Sequence, residues 1–273
     1  MTQFNSLDAY APAEIAQRVE AAGVAKAALA TVPTLVLAVL AGAFIAFGAT
    51  LYTVVVTESG LGFGPERLLG GIAFSLGLIL VLVGGAELFT GNSLIVFAWA
   101  DRRLTSRRLL RNWALVYAGN LVGASATAVM VHGAGIGALA DGAVAASAVR
   151  IAEAKLALAP AEAFVRGILC NVLVCLAVWL CFGARTVTGK ILAIVFPIAG
   201  FVALGFEHSV ANMYLIPAGW LAGSTLVGLA GYLVNLALVT AGNIVGGGVL
   251  VALVYWLVYR RGPGPGRRAW AQD

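Results

Sequence analysis

Two short polar stretches interrupt long apolar runs: GGAELFTGNSLI, carrying Glu87, Thr90 and Asn92, and GFEHSVANMYLIP, carrying Glu207, His208 and Asn212. Ionisable side chains at membrane depth are costly and mark functional positions. The imidazole of His208 can donate a hydrogen bond or a proton to an entering anion. A lone histidine in an apolar span is as readily a hydrogen-bonded structural residue, but its place inside the polar stretch favours a role in a pore. Glu87 and Glu207 suit a different task, because matched carboxylates can accept backbone N–H groups freed by unwound turns. They read as structural braces rather than as a proton relay, with Asn92 and Asn212 beside them. Thr90, Asn92 and Asn171 suit two roles equally, lining a path or satisfying backbone. Lys155 reads as an interfacial lysine just ahead of an apolar segment, and His132 as an interface residue.

The elements that must hold these groups follow from composition. Of the 273 residues, 61% are hydrophobic and only 11% charged, against about 45–50% and about 25% in soluble domains. That excess rules out a soluble enzyme. The 34 Gly show no triplet period, and Cys170, Cys175 and Cys181 fall in one apolar segment as small buried hydrophobes, so collagen-like and disulfide-stapled chains are excluded too. The chain is an all-α polytopic membrane protein. Six segments reach the ~20 apolar residues a spanning helix needs: about 29–56, 68–100, 109–131, 161–183, 191–223 and 231–259. The second and fifth are overlong and contain the two polar stretches. Irregular backbone at that depth is tolerated only where it packs in protein or lines a cavity, so both are expected to be broken helices. Residues 1–28 form an N-terminal segment, with a short amphipathic helix from position 11 opened by Pro12 and lying near the cytoplasmic interface. Residues 29–259 form the six-span transmembrane domain and 260–273 a flexible basic tail. The net charge of +5 reflects placement rather than nucleic-acid binding: 13 of the 17 Lys and Arg fall on one side of the six spans. By the positive-inside rule that side, with both termini, is cytoplasmic.

An internal repeat sharpens this reading. NWALVYAGNLVG at 112–123 returns as NLALVTAGNIVG at 235–246, and Glu87 and Asn92 return as Glu207 and Asn212. With three spans in each half (about 29–132 and 161–259), the halves must be inverted relative to one another. Inverted repeats with paired broken helices set a substrate path near the midplane. His208 falls where the first half has Leu88, so the repeat itself does not require it.

ELFTGN at 87–92, NWALVYAGNLVGA at 112–124, GILCNVLVCLAVW at 167–179 and GFEHSVANMYLIP at 205–217 resemble the formate/nitrite transporter family over nearly the whole chain. The resemblance implies an aquaporin-like fold assembled as a homopentamer in the bacterial inner membrane, with one pore in each protomer and no cofactor. It implies conduction of small monovalent weak-acid anions: formate, nitrite, hydrosulfide or lactate, with formate favoured. By motif position, His208 resembles a central pore histidine, Thr90 the threonine facing it, Asn171 a pore-lining asparagine and Lys155 a vestibule lysine. Phe74, Leu78, Leu88, Phe89, Val174 and Phe201 resemble the residues of two hydrophobic constrictions; on side-chain type alone they read as core packing. An anion would be drawn in by Lys155, neutralised by a proton and passed between the rings as the acid. A water, glycerol or ammonia pore is the alternative of another class, but its paired Asn-Pro-Ala is replaced here by GNS and ANM. An intramembrane serine protease built on Ser93 and His208 is the enzymatic alternative, and the repeat accounts for both positions without catalysis.

Overall fold

The computed structural model describes residues 9–261, and every regular element among them is helical. The tail expected at 260–273 falls, beyond Arg261, outside the described residues, as do positions 1–8. Five helices are long and apolar enough to cross a membrane. They are α2 (Thr31–Val55), α3 (Phe63–Gly84), α5 (Ser106–Gly133), α7 (Pro160–Gly183) and α10 (Leu229–Arg260), the last winding as a π-helix over Val245–Leu253. Shorter helices complete the chain: α1 (Pro12–Ala28), α4 (Ile95–Ala100) after a 3-10 turn at Gly91–Leu94, α6 (Ala143–Leu156), α8 (Val187–Ala203) and α9 (Ser209–Leu221).

Local chemistry explains the boundaries. Proline stands at the first turn of α1 and α7, where its missing N–H costs nothing. Thr105 and Thr186 cap α5 and α8 by accepting the N–H groups of Arg108 and Gly189. Between α3 and the Gly91 turn, and again between α8 and α9, the chain leaves the helix. Each departure turns on a glycine in left-handed backbone, Gly85 at φ 84° and Gly205 at φ 72°, a conformation costly to other residues. The polar stretches at 87–92 and 207–212 therefore begin where helices end.

Helix α6 was not foreseen; its segment lies between the third and fourth apolar spans and was given no element of its own. AVAASAVRIAEAKL is rich in strong helix formers, and it buries Val144, Ser147 and Ala152. A side chain at Gly219 of α9 would collide with Ala152, so the two helices meet almost at backbone distance.

The same close approach recurs in both halves. A Cβ at Gly123 of α5 would strike the Val39 carbonyl oxygen of α2, and one at Gly246 of α10 would strike the Ile168 carbonyl oxygen of α7. In lipid, where apolar surface alone drives no helix association, small residues that admit backbone contact do. Helix α1 lies against the other end of the bundle, burying Ile15, Ala16, Val19 and Ala27. Its buried Glu20 pairs with Arg103 at 3.3 Å and with Arg260 at the end of α10.

Candidate functional site

The two polar stretches meet at one contact. Thr90 Oγ1 lies 2.8 Å from His208 Nε2, and both residues are buried. The imidazole also caps α9, since His208 Nδ1 accepts the Ala211 N–H at 3.0 Å. With Nδ1 occupied as an acceptor, the proton of the neutral ring sits on Nε2, which then donates to Thr90. The His208 ring stacks against Phe201 with centroids 5.9 Å apart, and Phe201 meets Phe74 edge-on at 5.6 Å.

Two cavities approach this contact from opposite ends of α3, α7 and α8. One, of about 170 Å³, is lined by Phe74, Lys155, Phe201, Glu207 and His208 among others. The other, of about 110 Å³, is lined by Lys26, Leu78, Leu88, Asn92, Cys181 and Lys190 among others. Phe74 and Leu78 are four residues of α3 apart, a rise of about 6 Å, so a thin apolar wall divides the cavities. Four of the six residues expected at constrictions, Phe74 and Phe201 on one side and Leu78 and Leu88 on the other, form faces of that wall. Phe89 packs between Trp113 and Tyr117, with centroids 5.9 and 5.0 Å away, and Val174 is buried; neither lines these two cavities.

Each carboxylate anchors a polar brace. Lys155 Nζ contacts the Glu207 carboxylate at 2.9 and 3.1 Å, and Lys26 Nζ contacts Glu87 Oε1 at 2.5 Å. Asn212 Nδ2 donates to Glu207 Oε2 and to Asn235 Oδ1; Asn92 Nδ2 donates to Glu87 Oε2 and to Asn112 Oδ1. Lys155 thus belongs to a buried ion pair rather than to an interface with lipid. The carboxylates brace the stretches, but through lysine and asparagine rather than through freed backbone N–H groups.

That backbone is held by two asparagines the sequence reading did not single out. Asn120 donates to the Ala38 and Glu87 carbonyl oxygens and accepts the Phe89 N–H; Asn243 donates to the Gly167 and Glu207 carbonyl oxygens and accepts the Ser209 N–H. Both lie in the repeated NWALVYAGN and NLALVTAGN strings, where an amide recurring in an apolar span was the available signal. Asn171 donates to the Thr90 and Asn243 carbonyl oxygens and to Ser93 Oγ, while its own Oδ1 is buried without a partner. It lines neither cavity, so its amide group tethers the Thr90 stretch.

The profile of the formate/nitrite transporter family matches residues 13–257. The chain belongs to the formate/nitrite transporter family. The formate channel FocA of Escherichia coli K12 is 42% identical over 94% of this chain and 97% of its own. A probable formate transporter of Methanothermobacter thermautotrophicus is 42% identical over 82% of this chain and 88% of its own. Among solved structures, a pentameric formate channel with formate bound superposes with a TM-score of 0.78 at 39% identity, covering 84% of this chain and 97% of its own. An FNT family ion channel superposes at 0.82 and 31% identity, covering 89% and 98%. These members of the formate/nitrite transporter family are channels and transporters, and this chain is accordingly a membrane protein with apolar spanning helices rather than a member of an enzyme family.

Proposed function

We propose that this protein is a channel for small monovalent weak-acid anions, with formate as its main substrate, moved together with a proton in either direction. The observation that carries this reading is the Thr90–His208 contact between two cavities that each hold a lysine. In this reading α3 and the 91–100 helix together make one broken span and α8 and α9 another, giving six spans in two inverted halves at 29–259. The domain is preceded by an interfacial N-terminal helix and followed by a basic tail. Five protomers assemble in the bacterial inner membrane with both termini in the cytoplasm. The cavity at Lys155 is then the outer vestibule and the one at Lys26 the inner. Similarity to a pentameric formate channel supports both the substrate and the assembly.

The mechanism follows from desolvation. A bare anion leaving water for an apolar medium faces an idealised cost on the order of 20 kcal/mol, and several kcal/mol after relaxation. The wall of Phe74 and Phe201 on one side and Leu78 and Leu88 on the other therefore resists formate but admits formic acid. Outside, Lys155 together with Arg67 and Arg166 outweighs the Glu207 carboxylate in the cavity lining and raises the local anion concentration. Deeper in, the falling dielectric favours the uncharged acid, which takes a proton from water. His208 and Thr90 offer it hydrogen bonds in place of the lost water, and Asn171, tied to the Thr90 carbonyl, positions that stretch. Phe89 and Val174 support the narrow region from behind, while Glu87, Glu207, Asn92 and Asn212 hold the ends of the broken spans. Because His208 Nδ1 is committed to the Ala211 N–H, the cap supports hydrogen-bond donation by a neutral ring over transfer of a ring proton.

The deciding experiment is uptake of formate, nitrite, hydrosulfide, lactate and glycerol into proteoliposomes with internal pH followed. Preferential formate entry with matching acidification is the expected result. Preference for nitrite or hydrosulfide would change the substrate, and glycerol entry without an anion-linked pH change would overturn the mechanism.

A further inference from the structure

We infer that Lys190 forms an anion-docking site in the cavity at Lys26, which receives small monovalent anions entering from that side. The inference rests on the channel reading above. Lys190 stands in the first turns of α8, half-buried, and lines the cavity with Lys26, Asn92, Leu78, Leu88 and Phe182. Lys26 is matched by Glu87, at 2.5 Å. Lys190 has no such match: among the described residues its ammonium makes neither an ion pair nor a hydrogen bond. With the Lys26–Glu87 pair balanced, Lys190 is the uncompensated charge on a wall that is otherwise apolar or neutral.

The repeat shows that the architecture does not require this lysine. Its counterpart in the first half is Gly70 of α3, where even a Cβ would crowd Val56 and Tyr52. The cation that enters the other cavity from the start of α3, Arg67, spends its guanidinium on the Val202 and Ala203 carbonyl oxygens at the end of α8, at 3.0 Å each. Lys190 begins the antiparallel neighbour and shares its cavity with Val81, Leu82 and Ala86 at the end of α3, yet it bonds to none of their carbonyls. A cation drawn partly out of water among Leu, Val and Phe side chains is unfavourable unless an anion meets it. The cavity of about 110 Å³ leaves room for an anion of a few heavy atoms beside it.

A passive pore obeys detailed balance, so its permeability at low substrate concentration is the same in both directions. The signature of a docking site is instead the half-saturating concentration on its own side. Formate uptake would be compared in inside-out and right-side-out membrane vesicles carrying the parent chain, Lys190→Gln and Lys190→Arg. In inside-out vesicles Lys190→Gln should raise half-saturation on the order of tenfold, the lower range for charge-focused substrate accumulation, with the maximal rate rising in proportion, so that permeability at low concentration stays equal on the two sides. Its affinity there should also lose sensitivity to ionic strength. Right-side-out vesicles should keep the parent value, showing that the variant is folded, and Lys190→Arg should restore inside-out affinity. Parent-like half-saturation for Lys190→Gln, or an equal rise on both sides, would overturn the assignment while leaving the channel reading intact. Absence of formate uptake by the parent chain in both vesicle types would remove the channel reading and the docking site with it.

Discussion

Thr90 and His208, 118 positions apart, are joined by a 2.8 Å contact that fixes the tautomer of the imidazole, because the other ring nitrogen caps α9. One side chain therefore does two things: it caps the start of α9 at Ser209 and presents an N–H to the first polar stretch. Protonating the ring removes the acceptor at Nδ1 and leaves the Ala211 N–H unpaired, so the hydrogen-bonding arrangement of the site depends on proton concentration.

His208→Asn tests this directly. Asparagine is a strong N-cap, so α9 should persist while the pH-sensitive group disappears. Formate flux in the parent and the variant should part company on the acid side, where the parent ring gains its second proton. Superimposable pH profiles in proteoliposomes would show that protonation of the ring plays no part in flux.

Lys155→Gln should destabilise the protein strongly, since it strands the Glu207 carboxylate, which is only 5% exposed. Removing one partner of a buried pair costs about 3–5 kcal/mol. Pairing the change with Glu207→Gln should recover most of the loss. The readout is the thermal unfolding midpoint in detergent; a double variant as unstable as the single one would show that the charge pair is not what matters.

Asn120→Leu and Asn243→Leu each remove three hydrogen bonds to backbone, two of them to groups of the 87–89 or 207–209 stretch that no helix satisfies. An unsatisfied buried group costs about 1–3 kcal/mol, so both should unfold at markedly lower temperature, with faster hydrogen exchange at Phe89 and Ser209 respectively. Wild-type exchange at these amides would refute the brace.

Gly123→Ala and Gly246→Ala should each push apart a helix pair, as the added methyl meets a carbonyl oxygen of α2 or α7 rather than a flexible side chain. Gly133→Ala, with nothing near its Cβ position, is the matched control and should leave the unfolding midpoint unchanged. Equal midpoints for all three would mean that the bundle yields at these crossings.

Leu88→Ala thins the wall between the cavities from the Lys26 side. Passage of formate without its proton should then appear as an electrical current across a planar bilayer, absent in the parent. A silent variant would mean that the barrier to charge lies elsewhere.

Much of this organisation was legible in the chain because its physics is local. Apolar length located the long helices, and charge inside them located Glu87, Glu207 and His208. The repeat at 112–123 and 235–246 tied the halves together, yet its asparagines passed unremarked because amides in a span read as packing until their partners are known. Lysine partners were invisible for the same reason: Lys26 and Glu87 are 61 positions apart and Lys155 and Glu207 are 52 apart. Sequence spacing says nothing about which cation folds back onto which carboxylate. Phe89 and Asn171 were placed by resemblance on a path; that Phe89 packs on Trp113 and that Asn171 donates to the Asn243 carbonyl oxygen are contacts between distant positions that spacing does not reveal. Helix α6 was missed because its 14 residues are too few to span a membrane, and the search for apolar length passed over them.

The two braces also divide the labour of assembly. Every bond made by Asn120 ends within α2, α5 and the 87–89 stretch, and every bond made by Asn243 ends within α7, α10 and the 207–209 stretch. Neither set crosses the connection between Gly133 and Ala143, so covalent continuity there contributes no brace. A chain severed in that connection should yield two fragments that, co-expressed in one membrane, find each other and rebuild the Thr90–His208 junction by complementation.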